Sequence, residues 1–382
     1  MPPGAKPVGS AGIVGSAAVV ETGDEGDAGG RIAQVLGAGL IGGSIGAGLR
    51  ARGWSVAVAD IDDSRSRRAV EIGSADRCGY DPAAEIVFVA VPPSSCAEVS
   101  LEALEKFPTA VVTDVASVKR VVVDKVTDAR FVGGHPMAGS EQDGVDGSDP
   151  DMFVGATWVL TPEPGTDPVA FATVRSVVSG LGANVVELEA WRHDQLVALV
   201  SHVPHLTAAT LMNLASVAAD ENATLLRLAA GGFRDMTRIA AGGSAIWPDI
   251  CAENRDAILD VLDRLQGSLT QIRQVVLAGD HAALLAMLEN ARSARVNLPG
   301  RLAEPETAAE VRVVVTDRPG VLASVTTLLG EMGVNIWDLE IAHSAEGERG
   351  VLVVVVDGAA TEAVRHALGE RGFQCSIRPV GS

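Results

Sequence analysis

One histidine in this sequence stands where a proton could be moved. The stretch Phe131-Val-Gly-Gly-His135-Pro-Met-Ala-Gly-Ser-Glu141 reads as an apolar strand breaking into a Gly/Pro turn, which fixes His135 at the strand's C-terminal end. An imidazole titrates near neutrality, so a side chain held there suits general acid-base chemistry. A second group lies in Leu228-Ala-Ala-Gly-Gly-Phe-Arg234-Asp-Met-Thr-Arg238-Ile-Ala, where two arginines four residues apart follow a Gly-Gly break. Two readings stay open for them: a charge cluster at a helix end, or a clamp for a carboxylate, whose two oxygens match the guanidinium fork. Ser201 and His205 are spaced i and i+4 on an expected helix and share a face, with His202 roughly 100° around. His202 and His205 lack an acidic or cysteine ligand at a suitable spacing, so no metal is expected.

The elements that must position these groups begin with the strand Arg31-Ile-Ala-Gln-Val-Leu36, the turn Gly37-Ala-Gly39-Leu40-Ile41-Gly42-Gly-Ser44, a small-residue helix to Arg52, and a second strand, Trp54-Ser-Val-Ala-Val-Ala-Asp60. Gly37 permits the tight turn, Gly39 lets backbone amides approach a pyrophosphate, and Gly42 lets helix and strand pack closely. The helix N-terminus, with Leu40 and Ile41, then faces the phosphates. Asp60 ends the second strand and can accept both ribose hydroxyls of an adenosine, which favours NAD over NADP. Arg65, Arg67 and Arg68 keep the second choice open, because arginines beside this loop can hold a 2′-phosphate.

The alternation continues with a strand at Glu85–Pro92, a helix over Ser94–Phe107 and a strand at Ala110–Ser117. Pro92 and Pro93 close one strand and Ser117 closes the next on the edge where such sheets bind ligands, with Val91 and Pro92 candidates for cofactor contact. Two further strands, Ala156–Pro162 and Ala183–Glu189, are separated by a helix near Pro168–Gly180, and Gln142–Asp151 reads as a surface loop. The pattern predicts an α/β fold: a Rossmann-type doubly wound parallel sheet over residues 31–189. From residue 190 to 296 it changes to long helices, at Trp191–Ala215, from about Glu221, at Trp247–Ala278 and at His281–Val296. That region reads as a mostly α domain.

After a linker at 297–308, residues 309–382 follow the order βαββαβ, a ferredoxin-like unit. The first thirty residues are rich in Gly, Ala, Ser and Pro and read as a disordered tail. Within them, Ala11–Val20 is interrupted by Gly12, Gly15 and Ser16, which argues against an export signal.

Composition excludes several classes of function. The 382 residues are 47% apolar and carry 49 acidic against 30 basic side chains, a net charge of −19 that repels nucleic-acid phosphates and anionic membranes. No run of about 18 apolar residues suggests a membrane span. Cys78, Cys96, Cys251 and Cys375 form no Cys-x-x-Cys pair, so neither a disulfide framework nor a zinc ribbon is expected, and a reducing cytoplasm fits best.

The sequence resembles the prephenate/arogenate dehydrogenase family of tyrosine biosynthesis over about residues 31–296. The resemblance rests on Val35–Ser44, Asp114-Val-Ala-Ser-Val-Lys119, Gly133–Glu141, His193-Asp194, Ser201-His-Val-Pro-His205 and Gly231-Gly-Phe-Arg-Asp-Met-Thr-Arg238. It implies that His135 is the catalytic base, that Ser117 helps hold the substrate hydroxyl, and that Ser201, His205 and Arg238 line the substrate site. His205 and Arg238 would contact the carboxylates or pyruvyl chain. It implies further that Trp247 reaches the neighbouring subunit's site in a homodimer. Ala116 departs from the family pattern, in which glycine is usual. The turn Asp317-Arg-Pro319-Gly320 and the stretch Gly333-Val-Asn335-Ile336 resemble an ACT domain, which implies an amino acid effector such as tyrosine, or a dimerisation module without a ligand.

The expected function is NAD-dependent oxidative decarboxylation of prephenate to 4-hydroxyphenylpyruvate. The same residues leave arogenate open as the substrate. A β-hydroxyacid dehydrogenase would need a lysine on the long helix Trp191–Ala215, which has none. A non-catalytic NAD and amino acid sensor would have no use for His135 and Arg238.

Overall fold

The structure, a computed structural model, describes residues 30–139, 142, 144–221, 228–296, 308–316, 318–343 and 349–379. Asp317, nearly all of the expected tail and linker, and the expected start of a helix just beyond Glu221 lie outside the described residues. The chain divides into two compact units, one running to Ala209 and including Ile239–Asp263, the other made of Thr210–Arg238 and the chain from Arg264 onward.

The first unit is built on β1 (Ile32–Leu36), α1 (Leu40–Arg50), β2 (Ser55–Ala59), α2 (Asp63–Glu71), β3 (Arg77–Cys78), β4 (Ile86–Val89), α3 (Pro93–Lys106), β5 (Val111–Asp114), α4 (Arg120–Val123), β6 (Phe131–Pro136), β7 (Thr157–Thr161), α5 (Pro168–Gly180) and β8 (Asn184–Glu187). The strands order as β3-β2-β1-β4-β5-β6-β7-β8. The order reverses between β1 and β4, and a crevice opens there at the strands' carboxyl ends. Short apolar strands such as Ile86-Val-Phe-Val89 are buried on both faces, as a sheet covered by helices on both sides requires. Ile45, Leu49, Phe88, Trp158 and Leu181 belong to one core cluster. Val87, Leu104, Phe107, Val112 and Phe131 belong to the other. Burying a side chain of this size contributes about 1.5–3 kcal/mol.

The sheet is not wholly parallel as expected, because β7 runs antiparallel to β6. Among the described residues of the connection between them, no helix crosses the sheet. A 3-10 turn there, Val145–Gly147, lies against α1 instead, and the chain returns in the opposite sense. The two-residue edge strand β3 was not expected either.

Beyond β8, the expected single helix from Trp191 is three pieces: α6 (Ala190–Val197), one π-helical turn at Ala198–His202, and α7 (Val203–Glu221). Pro204 supplies a reason. It has no N–H to donate and its ring would press on the carbonyl four residues back, and a wider turn relieves both conflicts. After α8 (Gly231–Thr237), the expected helix Trp247–Ala278 is likewise interrupted, at Asn254, between α9 (Trp247–Glu253) and α10 (Arg255–Ala278). The last helix of this region is α11 (His281–Val296).

The second unit ends in β9 (Ala308–Thr316), α12 (Val321–Glu331), β10 (Asp338–His343), β11 (Arg349–Asp357), α13 (Thr361–Glu370) and β12 (Gln374–Pro379). Its antiparallel sheet has the order β10-β11-β9-β12, the expected ferredoxin-like arrangement around Val311, Val313, Leu329, Leu352 and Leu368.

Candidate active site

At the end of β1, Gly37 adopts φ +103°, and a Cβ there would overlap the carbonyl of Ala90 just after β4. At Gly42 a Cβ would run into the carbonyl of Gly37, whereas at Gly39 the space is open. Gly39 begins α1 without a side-chain cap, leaving backbone N–H groups at the helix start for an anion, with Leu40 and Ile41 half-buried beside it. Asp60 accepts the Ala38 N–H at 2.7 Å and the Asp62 N–H at 2.9 Å, so its carboxylate braces the glycine turn. These features fit a dinucleotide: the turn is sterically reserved for glycine, and the open side of Gly39 leaves room for a phosphate. Across the crevice, Val91 is half-buried and Pro92 exposed ahead of Pro93, the first residue of α3. Arg68 is engaged by Asp146 at 2.7 Å and Glu71 at 3.1 Å, and Arg65 pairs with Asp62 at 3.8 Å.

The next strand end carries Ser117, whose Oγ is buried without a hydrogen-bond partner among the described residues. Ala116 causes no strain there: no described residue other than glycine has positive φ, and its N–H donates to Asp114 at 3.0 Å. Asp114 pairs with Lys119, and both side chains are wholly buried.

His135 ends β6 half-buried, and its Nδ1 lies 2.8 Å from Nε2 of His193 on α6. His193 is fully buried, with its Nδ1 2.8 Å from Asp194 Oδ1. Asp194 accepts the backbone N–H of Lys119 at 2.8 Å and of Arg120 at 2.9 Å. Asn254, at the break between α9 and α10, donates to the Asp194 carbonyl at 2.9 Å and lies 3.1 Å from Nδ1 of buried His202. Trp247 meets His202 edge-on and stacks on His205 with ring centroids 3.7 Å apart. The Trp247 ring thus lies against His205 of its own chain.

Burial, reinforced by His193, Lys119 and His202, holds the His135 pKa well below the usual imidazole range, so the ring is neutral near pH 7. Burial pushes His202 down to about 4, despite the opposing pull of Asp194, and it lowers His205 as well.

The fold thus connects His135, His202, His205 and Trp247 through His193, Asp194 and Asn254. Ser201 lies half-buried in the π turn next to His202. Arg238 belongs to the other compact unit and is exposed at the end of α8. Pro319 and Gly320 form an exposed turn before α12, with Gly320 at φ +89°, and Asn335 is exposed between α12 and β10; the fourth expected effector residue, Asp317, is among those not described. Sequence reasoning gave no role to His193, Asp194, Asn254 or Lys119. The adjacent His193-Asp194 pair was visible, but its partners were not. Among the described residues no group of three or more His, Cys, Asp or Glu could hold a metal ion, and no helix is long and apolar enough to cross a membrane.

Three family descriptions match the chain: "Prephenate dehydrogenase, nucleotide-binding domain" at residues 45–187, "Prephenate dehydrogenase, dimerization domain" at 189–290, and "ACT domain" at 309–371. The prephenate dehydrogenase of Bacillus subtilis is 34% identical over 338 residues, 83% of this chain and 90% of the relative. The cyclohexadienyl dehydrogenase of Zymomonas mobilis is 32% identical over 69% of this chain and 94% of the relative. Among solved structures, the prephenate dehydrogenase of Aquifex aeolicus, in complex with hydroxyphenyl propionate and NAD+, superposes with a TM-score of 0.66 at 27% identity, covering 70% of this chain and 98% of that one. The arogenate dehydrogenase of Synechocystis gives 0.60 at 32% identity, over 69% and 98%. The glycine turn, the His135 strand end and these similarities over most of the chain lead to one assignment: the chain belongs to the prephenate dehydrogenase family.

Proposed function

We propose that the chain is an NAD-dependent prephenate dehydrogenase, converting prephenate to 4-hydroxyphenylpyruvate and CO2. The observation that carries this reading is His135, a histidine kept neutral by its surroundings at the end of a strand beside the dinucleotide crevice. His135 takes the proton from the ring C4 hydroxyl as that carbon is oxidised. Ser117, whose hydroxyl has no hydrogen-bond partner among the described residues, steadies the same oxygen. His205, backed by the Trp247 ring, contacts the carboxylate or pyruvyl group, and the family resemblance assigns Arg238 to a substrate carboxylate. Ser201 lines the same site. NAD+, when bound, accepts the hydride from C4. Loss of the ring carboxylate as CO2 then aromatises the ring, and the oxygen at C4 recovers a proton to become the phenol.

For the cofactor, Gly37, Gly39, Leu40, Ile41, Gly42, Asp60, Val91 and Pro92 form the binding edge. Asp60 and the carboxylates already engaging Arg65 and Arg68 favour NAD+ over NADP+. Leu269, Ile272 and Val276 are exposed along α10, a stripe suited to a homodimer contact made by the helical region. The C-terminal region takes an amino acid effector, with tyrosine the first candidate, through the turn at Pro319 and Gly320, through Asn335 and through Asp317. Cytoplasmic residence suits the four free thiols.

The test is formation of NADH with prephenate and with arogenate, each with NAD+ and NADP+. Prephenate with NAD+ is expected to give the highest kcat/KM. Preference for arogenate would change the substrate, and absence of turnover with either would refute the assignment.

A further inference from the structure

Resting on the reading of His135 as the base, we propose that His193 and Asp194 fix His135 in the tautomer protonated on Nδ1, leaving Nε2 unprotonated as the atom that takes the substrate's proton. The argument begins at two backbone amides. The N–H groups of Lys119 and Arg120 can only donate, and they donate to the two different oxygens of the Asp194 carboxylate. Asp194 is therefore an acceptor on both sides, and the contact at 2.8 Å with His193 Nδ1 requires a proton on that nitrogen. With His193 neutral, its one N–H is the Nδ1–H given to Asp194, so Nε2 presents its lone pair. The 2.8 Å contact to His135 Nδ1 then requires the proton on Nδ1 of His135. Each step removes one of two alternatives. When His135 becomes protonated in the reaction, its Nδ1–H keeps the same acceptor, so no proton has to travel along the chain of rings.

The environment makes this arrangement hard to reverse. His193 is fully buried and meets His135 edge to face, with ring centroids 5.0 Å apart. The titratable and charged groups around the pair are Asp194 on the same helix, Lys119 after β5 and His202 on the π turn. His193 and Asp194 are positioning residues: they act on the reaction through His135.

The tautomer is read directly by nitrogen NMR of the full-length protein labelled with 15N-histidine, with His135→Asn used to assign the signal. A His135 resonance protonated on Nδ1 supports the proposal, and one protonated on Nε2 overturns it. Kinetically, His193→Leu should lower kcat by about 10²-fold, within the span of acid-base assistance, while KM for prephenate stays within a factor of about three. His193→Gln, whose carbonyl can accept from His135 while its amide donates to Asp194, should recover about tenfold of that loss. An unchanged kcat in His193→Leu, or a Gln variant no better than Leu, would overturn it. Failure here is separable from failure of the functional reading. If His135→Asn is inactive and His193→Leu is not, only the positioning role falls; if His135→Asn is fully active, the base itself is misassigned.

Discussion

Asp114 and Lys119, five residues apart from the end of β5 onward, pair with no solvent exposure on either side chain, and between them they grip both backbone polar groups of the residue that precedes the catalytic candidate. Lys119 Nζ donates to the Gly134 carbonyl at 2.6 Å, and Asp114 Oδ1 accepts the Gly134 N–H at 3.0 Å. Removing one partner of such a pair leaves the other charge buried and alone. Lys119→Met should therefore cost about 3–5 kcal/mol of stability, read as a fall in the urea midpoint. A loss below about 1 kcal/mol, the range of exposed pairs, would mean that water reaches Asp114.

The second prediction concerns pH. Burial lowers the His135 pKa, so the base-competent neutral ring persists below the usual imidazole range. Activity should fall on the acid side at a pH clearly under 6.5, the ordinary value for histidine. His135→Asn should abolish that limb, lower kcat by about 10²–10⁴, and leave NAD+ affinity unchanged by titration calorimetry. A variant that keeps the limb and the rate would move the base to His205, the next imidazole in the connected group.

How much of this was legible in the sequence depends on how local each constraint is. The glycine turn could be read because Gly37 and Gly42 answer steric demands within one strand-turn-helix unit. His135 could be read because an apolar strand and a Gly/Pro break define its place without reference to distant residues. His193 could not, since its partner His135 lies 58 positions away, and the amides that orient Asp194 lie 74 and 75 away. Asn254 was hidden differently. The residues around it suit a continuous helix, and the break becomes intelligible only once its side chain is seen bridging Asp194 and His202. The direction of β7 was likewise out of reach, because it depends on where a long connection packs.

His202 gives a prediction about stability. Its folded pKa of about 4 lies below the ordinary 6.5. Between these values the unfolded chain binds the proton and the folded chain does not, so acid favours unfolding. Stability from this group is full above 6.5, declines as pH falls, and is about 2 kcal/mol lower at pH 5 than at pH 8. His202→Asn, which keeps an acceptor for Asn254, should show a flatter melting temperature between pH 8 and pH 5 than the wild type. Parallel curves for the two proteins would assign the acid sensitivity elsewhere, with His135 the first alternative because it shifts in the same direction.

The two arginines after the Gly-Gly break should separate in kinetics, although the sequence presents them as a pair. Arg234 Nε donates to the Ala229 carbonyl at 3.2 Å, so its guanidinium already serves the chain just ahead of α8. Arg234→Ala should chiefly loosen that helix start, with a modest drop in melting temperature and KM for prephenate nearly unchanged. Arg238, one residue beyond α8, is the one assigned to a substrate carboxylate, and a charge-assisted hydrogen bond contributes about 1.5–3 kcal/mol. Arg238→Ala should accordingly raise KM for prephenate by about one to two orders of magnitude, with NAD+ binding held constant. Arg238→Lys should recover only part of the loss, because an ammonium keeps the charge but not the planar fork. Equal effects of the two alanine variants on KM would restore the paired clamp. No effect of Arg238→Ala would leave both arginines as charges at a helix end.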